Sequence, residues 1–193
     1  MRIGVLAVQG AFVEHIAALH KLKVEALPVR LPAELVGLDG LIIPGGESTS
    51  ISRLMLEYDL ASEIRNLAER GLAIMGTCAG MILLAREPSD PKVRPLGLMD
   101  ITVKRNAFGR QRESFEAELI IPALGEKPFP GVFIRAPIIE QANGSTEVLT
   151  RLDNGTIVAA RQERLLASAF HPELTDDLRF HKYFVDIITG SKS

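Results

Sequence analysis

One cysteine, Cys78, occurs in 193 residues, so the sequence offers no internal disulfide and no sign of an oxidising compartment. A basic excess is also missing. The 22 Lys and Arg stand against 24 Asp and Glu, a formal charge of −2, whereas nucleic-acid binders normally carry surplus positive charge. Long apolar runs are absent too. The opening run, residues 3–8, is halted by Gln9 and Gly10, too short for a signal-peptide core or a membrane span. No later stretch reaches spanning length without charge, and the cysteine and four histidines lack the compact spacing of a zinc site. Neither an internal repeat nor a linker long enough to separate two domains is visible. What remains is a chain that is 47 % apolar, which suits one domain over 1–193 with a sizeable core and a cytoplasmic setting, with no metal or cofactor expected.

What is present is alternation. Residues 3–8 read as a short buried strand, and Phe12, Ile16, Leu19 and Leu22 then recur at helical spacing. Strands are expected at 24–29 and 40–44, the latter ending in Gly45-Gly46. Leu60, Ile64 and Leu67 mark a further helix, closed by Gly71. Another apolar strand, 72–77, passes at once into a helical stretch, 79–86. Such strand-helix order predicts an α/β fold with a mostly parallel sheet flanked by helices. From Leu98 onward the pattern changes to short strands at 101–104, 115–121, 132–134, 147–152, 156–161 and 165–170, with Asp153-Asn154-Gly155 as a hairpin turn. Thr175-Asp176-Asp177 is expected to start a last helix, and 87–95 to form an exposed loop.

The sharpest chemical feature is Gly76-Thr77-Cys78-Ala79-Gly80. A nucleophile between small residues, at a strand-to-helix junction, has the form of a nucleophile elbow. The turn forces its central residue into an unfavourable backbone conformation and presents the thiol at a helix N-terminus, which favours thiolate. A buried structural cysteine is the competing reading. A thiol nucleophile needs a base. His171 follows the apolar strand 165–170, at the end where open α/β sheets place their sites, with Pro172 stiffening the turn and Glu173 two residues on. A Cys78–His171–Glu173 triad is the favoured reading, and His15, His20 and His181 read as surface or packing residues. Pro44-Gly45-Gly46-Glu47-Ser48-Thr49 lets backbone N–H groups approach a ligand, but it lacks the Gly-Lys-Ser/Thr ending of a phosphate loop. Ser48 is also a candidate cap for the following helix. Arg105, Arg110, Arg112 and Arg135 are candidate carboxylate anchors, with a solvated or interface role an equal reading for Arg110 and Arg112, and the sequence does not decide among them.

Together these segments resemble the class I, triad-type glutamine amidotransferases, with a three-layer α/β fold. The likeness is closer still to the glutaminase subunits of pyridoxal 5′-phosphate synthases. It is carried by Gly4 to Gly10, Gly45-Gly46-Glu47-Ser48-Thr49, Gly76 to Gly80, Arg105-Asn106-Ala107-Phe108-Gly109-Arg110-Gln111, Ser114-Phe115-Glu116, Phe133-Ile134-Arg135-Ala136-Pro137 and Phe170 to Thr175. The resemblance implies glutamine hydrolysis through a Cys78 thioester. Backbone N–H groups of Gly46 and Ala79 would hold the oxyanion. Gly46, Glu47, Ser48, Arg105, Ile134 and Arg135 would contact L-glutamine, with Glu47 at its α-amino group and Gln9 supporting the oxyanion hole near a partner interface. It further implies a separate, barrel-type synthase subunit that receives the ammonia. A glutaminase serving a different synthase, and a non-catalytic α/β protein, are the competing readings.

Overall fold

A computed structural model describes residues 1–105 and 114–191; the Asn106 to Gln111 motif, with Arg110, and also Arg112 lie outside the described residues. Three parallel strands open the chain: β1 (Arg2–Leu6), β2 (Glu25–Val29) and β3 (Gly40–Ile43), with helix α1 (Phe12–Lys21) after the first. Helices α2 (Ser48–Glu57) and α3 (Leu60–Glu69) lead to β4 (Ala73–Thr77), α4 (Ala79–Leu84) and β5 (Ala85–Pro88). The second half supplies β6 (Met99–Lys104), β7 (Ser114–Leu119), β8 (Phe129–Ile134), β9 (Ile138–Ala142), β10 (Glu147–Arg151), β11 (Ile157–Gln162), β12 (Leu165–Ser168) and the helix α5 (Arg179–Thr189).

The main sheet runs β2-β1-β3-β4-β12-β11-β9-β6-β5, with β10 beside β11, while β7 and β8 form a separate antiparallel pair. Pairing is parallel from β2 across to β12, then turns antiparallel at β11, β9 and β6. The sequence order predicts this arrangement of a mostly parallel sheet flanked by helices with antiparallel additions. Strands β3 and β4 are buried along their whole length, which is why they read as continuous apolar runs rather than as alternation. Phe129, Phe170 and Phe180 pack ring on ring beneath the end of β12, with centroids 5.1–6.0 Å apart. No helix among the described residues is long and apolar enough to cross a membrane.

Four expectations need correction. Helix α4 stops at Leu84 instead of running to Arg86, because the Leu83 and Leu84 carbonyls accept the N–H groups of Leu96 and Leu98 and Ala85 pairs with Met99. The first two residues of the expected loop 87–95 belong to β5, and Val93 within it is buried. The last helix begins at Arg179, not Thr175. Thr175 Oγ1 accepts the Asp177 N–H and Asp177 Oδ1 accepts the Arg179 N–H, which holds the segment as a turn before the helix. Strand β9 was not anticipated, since Ile138-Ile139-Glu140-Gln141 shows no period-two alternation.

Candidate active site

Strand β4 delivers the chain to Cys78, whose backbone lies at φ +51°, ψ −105°, outside the common regions for an L-residue. A conformation of this kind costs about 1–3 kcal/mol and persists only where its surroundings over-determine it. Here the Cys78 N–H donates to the Ser168 carbonyl of β12 at 2.8 Å, and α4 starts on the next residue. Small neighbours are obligatory. A Cβ on Gly80 would run into the Ile43 carbonyl oxygen at the end of β3, so the tight approach of α4 to the sheet depends on its absence.

The end of β12 supplies the candidate base. His171 follows Phe170 and opens a 3₁₀ turn, Pro172–Leu174, which carries Glu173 back toward the imidazole. His171 Nδ1 and Glu173 Oε1 are 2.7 Å apart. Burial opposes charge on His171, but hydrogen bonding to Cys78 and Glu173 and their charges outweigh it and raise the imidazole to about 10. Burial likewise opposes charge on Glu173, yet His15 and His171 keep its carboxyl below the ordinary range. The Cys78 thiol also lies 4.0 Å from the Ile134 carbonyl, at the end of β8.

These groups open into a cleft of about 370 Å³, within the usual range for a small-molecule site. Gln9, Gly46, Glu47, Ser48, Cys78, Ala79, Arg105, Ile134, Arg135 and His171 all line it. Glu173 stands behind His171, with its side chain out of contact with solvent. Thus the structure gathers every candidate residue in the described segments at one place. A Cβ on Gly45 would fall 2.5 Å from His171 Cε1, so this glycine keeps the wall against the imidazole. Arg135, like Cys78, holds a left-handed backbone, at φ +43°.

Glu47, not Ser48, caps α2. Its carboxylate accepts the N–H groups of Thr49 and Ser50 and the Ser50 hydroxyl, and these bonds outweigh partial burial to hold it at about 2. The same carboxylate pairs with Arg105 Nη2 at 2.9 Å, while Arg105 Nη1 lies 2.6 Å from Asp90. Gln9 Oε1 accepts the Glu47 N–H at 2.8 Å, which fixes the Gly46–Glu47 turn. The Ser48 hydroxyl is buried at the cleft wall and has no hydrogen-bond partner among the described residues.

Sequence reasoning missed one layer. His15 and His181 are fully buried behind Glu173, joined by an Nδ1···Nε2 contact of 2.9 Å, whereas His20 is exposed as expected. A signal existed for both. His15 lies on the apolar face marked by Phe12, Ile16 and Leu19, and His181 shares a face of α5 with Phe184 and Ile188. Among the described residues no cluster of His, Cys, Asp and Glu is suited to a metal ion.

Comparison with known proteins identifies the chain's relatives. A family model described as the SNO glutamine amidotransferase family matches residues 5–189. A protein of Herpetosiphon aurantiacus named pyridoxal 5′-phosphate synthase subunit PdxT is 56 % identical over 190 residues, 97 % of this chain and 100 % of its own. A protein of the same name from Dehalococcoides mccartyi is 57 % identical over 195 residues, spanning both chains in full. A crystal structure titled as that of a glutamine amidotransferase superposes with a TM-score of 0.92 at 49 % identity, covering 97 % of this chain and 98 % of its own.

Proposed function

The chain belongs to the SNO glutamine amidotransferase family, and from that premise we propose that it is the glutaminase subunit of a pyridoxal 5′-phosphate synthase. In this reading residues 1–193 act as one glutaminase domain that hydrolyses L-glutamine and passes ammonia to a separate, barrel-type synthase subunit. The observation that carries it is the strained Cys78 elbow facing a His171–Glu173 pair inside a cleft lined by the candidate glutamine contacts.

The chemistry follows from the proton inventory. With His171 raised to about 10, the imidazole carries its proton at neutral pH and stands beside the thiol as the acid it must later be. The Cys78 sulfur attacks the side-chain amide carbon as the thiolate whose proton His171 holds, and its negative charge passes to the carbonyl oxygen. Backbone N–H groups of Gly46 and Ala79 are the proposed donors to it; losing one such donor typically costs about 10²–10³-fold in rate. His171 gives its proton to the departing nitrogen, the C–N bond breaks, and ammonia leaves a glutamyl thioester. Neutral His171 then takes a proton from water, whose oxygen attacks the thioester. Collapse breaks the C–S bond, frees glutamate and restores both the sulfur and the protonated imidazole.

Substrate recognition is proposed at the Glu47–Arg105 wall, with Ser48, Ile134 and Arg135. Support comes from the Ser48 hydroxyl, which has no partner among the described residues, and from two opposite charges that suit the two charged ends of an amino acid. Glu47 is oriented by its cap bonds, so a carboxylate is already in place for an ammonium group. Gln9 acts through the Gly46–Glu47 turn it holds. A nucleophilic thiol that must stay reduced fits a cytoplasmic setting.

The test is a coupled assay containing the chain, the candidate synthase subunit, glutamine, a pentose phosphate and a triose phosphate, with pyridoxal phosphate formation followed. Product that appears with glutamine and vanishes with Cys78→Ala is the expected result. Glutamate release with no product in any synthase pairing would reassign the partner.

A further inference from the structure

Behind the proposed triad lie two further imidazoles, His15 and His181, that the proposed glutamine hydrolysis does not use. Four elements meet there: α1 brings His15, β4 brings Thr77, the 3₁₀ turn brings Glu173, and α5 brings His181. His171 occupies one oxygen of the Glu173 carboxylate. The other, Oε2, is buried and makes no hydrogen bond among the described residues, but His15 Nε2 lies 3.4 Å from it. The same Nε2 is 3.2 Å from Thr77 Oγ1, and His15 Nδ1 is 2.9 Å from His181 Nε2.

The placement of hydrogens follows from the acceptors. A carboxylate oxygen only accepts, so the His15 hydrogen belongs on Nε2, pointing between Glu173 Oε2 and Thr77 Oγ1. His15 Nδ1 is then an acceptor and takes the hydrogen of His181 Nε2. The chain ends at His181 Nδ1, a bare ring nitrogen with no partner among the described residues. Reversing every hydrogen would leave a buried N–H orphaned at that end and set two lone pairs against each other at the Glu173 end, which is the costlier arrangement.

We infer that His15 is a positioning residue for the proposed glutaminase: its Nε2–H holds the free oxygen of Glu173, so the carboxylate keeps the rotamer that orients His171, and His181 locks the His15 ring from behind. Both rings are pressed toward the neutral form, chiefly by burial. That neutrality matters. A charged His15 would compete with His171 for the Glu173 charge, whereas a neutral donor fixes the carboxylate and leaves its charge to the catalytic imidazole.

This inference rests on the glutaminase reading, and its test is built to separate the two. In the complex with the synthase subunit, His15→Leu is expected to lower kcat for glutamine by about tenfold to a hundredfold, with KM within about twofold. His15→Gln, whose amide nitrogen reaches the Nε2 position, is expected to regain most of that loss. His15→Asn, whose amide reaches only as far as Nδ1, is not. An unchanged kcat in His15→Leu, or equal rates for Gln and Asn, would overturn the inference. Should the Leu variant fail to fold, the Gln and Asn pair still decides it. A second readout needs no turnover: the downfield proton resonance of His171 Nδ1–H on Glu173 should weaken or shift in His15→Asn and persist in His15→Gln. If that resonance behaves as stated while wild type releases no glutamate, the glutaminase reading fails and the positioning role stands.

Discussion

His171 Nδ1 and Glu173 Oε1 stand 2.7 Å apart with only Pro172 between the two residues in sequence, so a single turn sets the imidazole against its carboxylate. The proton on that imidazole is held far more tightly in the folded chain, at about 10, than at its ordinary 6.5. A pKa raised on folding stabilises fully below the unfolded value and ceases to do so as pH passes the folded one. The stability gap between wild type and His171→Ala is therefore expected to be widest below pH 6.5 and to narrow as pH approaches 10. Urea unfolding at a series of pH values measures it. A constant gap across that window would rule out a protonated His171.

Turnover should respond to the same variant. His171→Ala is expected to lower glutamine hydrolysis by about 10³-fold or more while leaving circular dichroism unchanged. Retained activity would move the base elsewhere, and no other histidine lines the cleft among the described residues.

Cys78 can be interrogated directly. A glutamine-shaped diazoketone is expected to add its mass to the Cys78 peptide alone, and His171→Ala should slow the addition. Labelling that is absent in the presence of the synthase subunit, or that lands on another residue, would refute the nucleophile assignment.

Glu47 has two tasks, capping α2 and facing Arg105, and a conservative change separates them. Glu47→Ala is expected to cost about 1 kcal/mol in unfolding free energy through the lost cap. Glu47→Gln keeps one cap acceptor but loses the charge, so its stability should fall less while its KM for glutamine rises as far. Equal KM values for Glu47→Gln and wild type would remove Glu47 from substrate recognition.

Gly80 tests the packing of the elbow. Adding one methyl group places it against the Ile43 carbonyl, and overpacking of this kind costs about 1–3 kcal/mol. Gly80→Ala should lower the thermal midpoint and slow labelling of Cys78 together. A stable, fully reactive Gly80→Ala would mean that α4 can retreat from β3 without disturbing the thiol.

Much of this was legible in the sequence because its signals are local. Gly76 to Gly80 declares its own geometry, since only small residues allow the turn, and His171-Pro172-Glu173 carries base and carboxylate within one turn. The parallel strands announced themselves by unbroken apolar runs. What stayed hidden depended on partners distant in sequence. Helix α4 ends where it does because residues 96 and 98 claim its carbonyls, and no feature of Ala85 or Arg86 foretells that. Whether Glu47 or Ser48 caps α2 turned on one residue of register. His15 and His181 read as surface or packing residues; burial decides for packing, but their contact with each other required α1 and α5 to be brought together.

The insertion of β12 between β4 and β11 has a consequence for timing. Strand β12 comes far downstream of Cys78, yet it holds Cys78 through the Ser168 carbonyl and leads directly to His171. During synthesis the thiol emerges from the ribosome well before the strand that fixes its backbone and the proposed base, His171. An unfinished chain that lacks β12 thus carries the cysteine without its candidate base, and on the proposed chemistry glutamine is safe from it until that strand has been made.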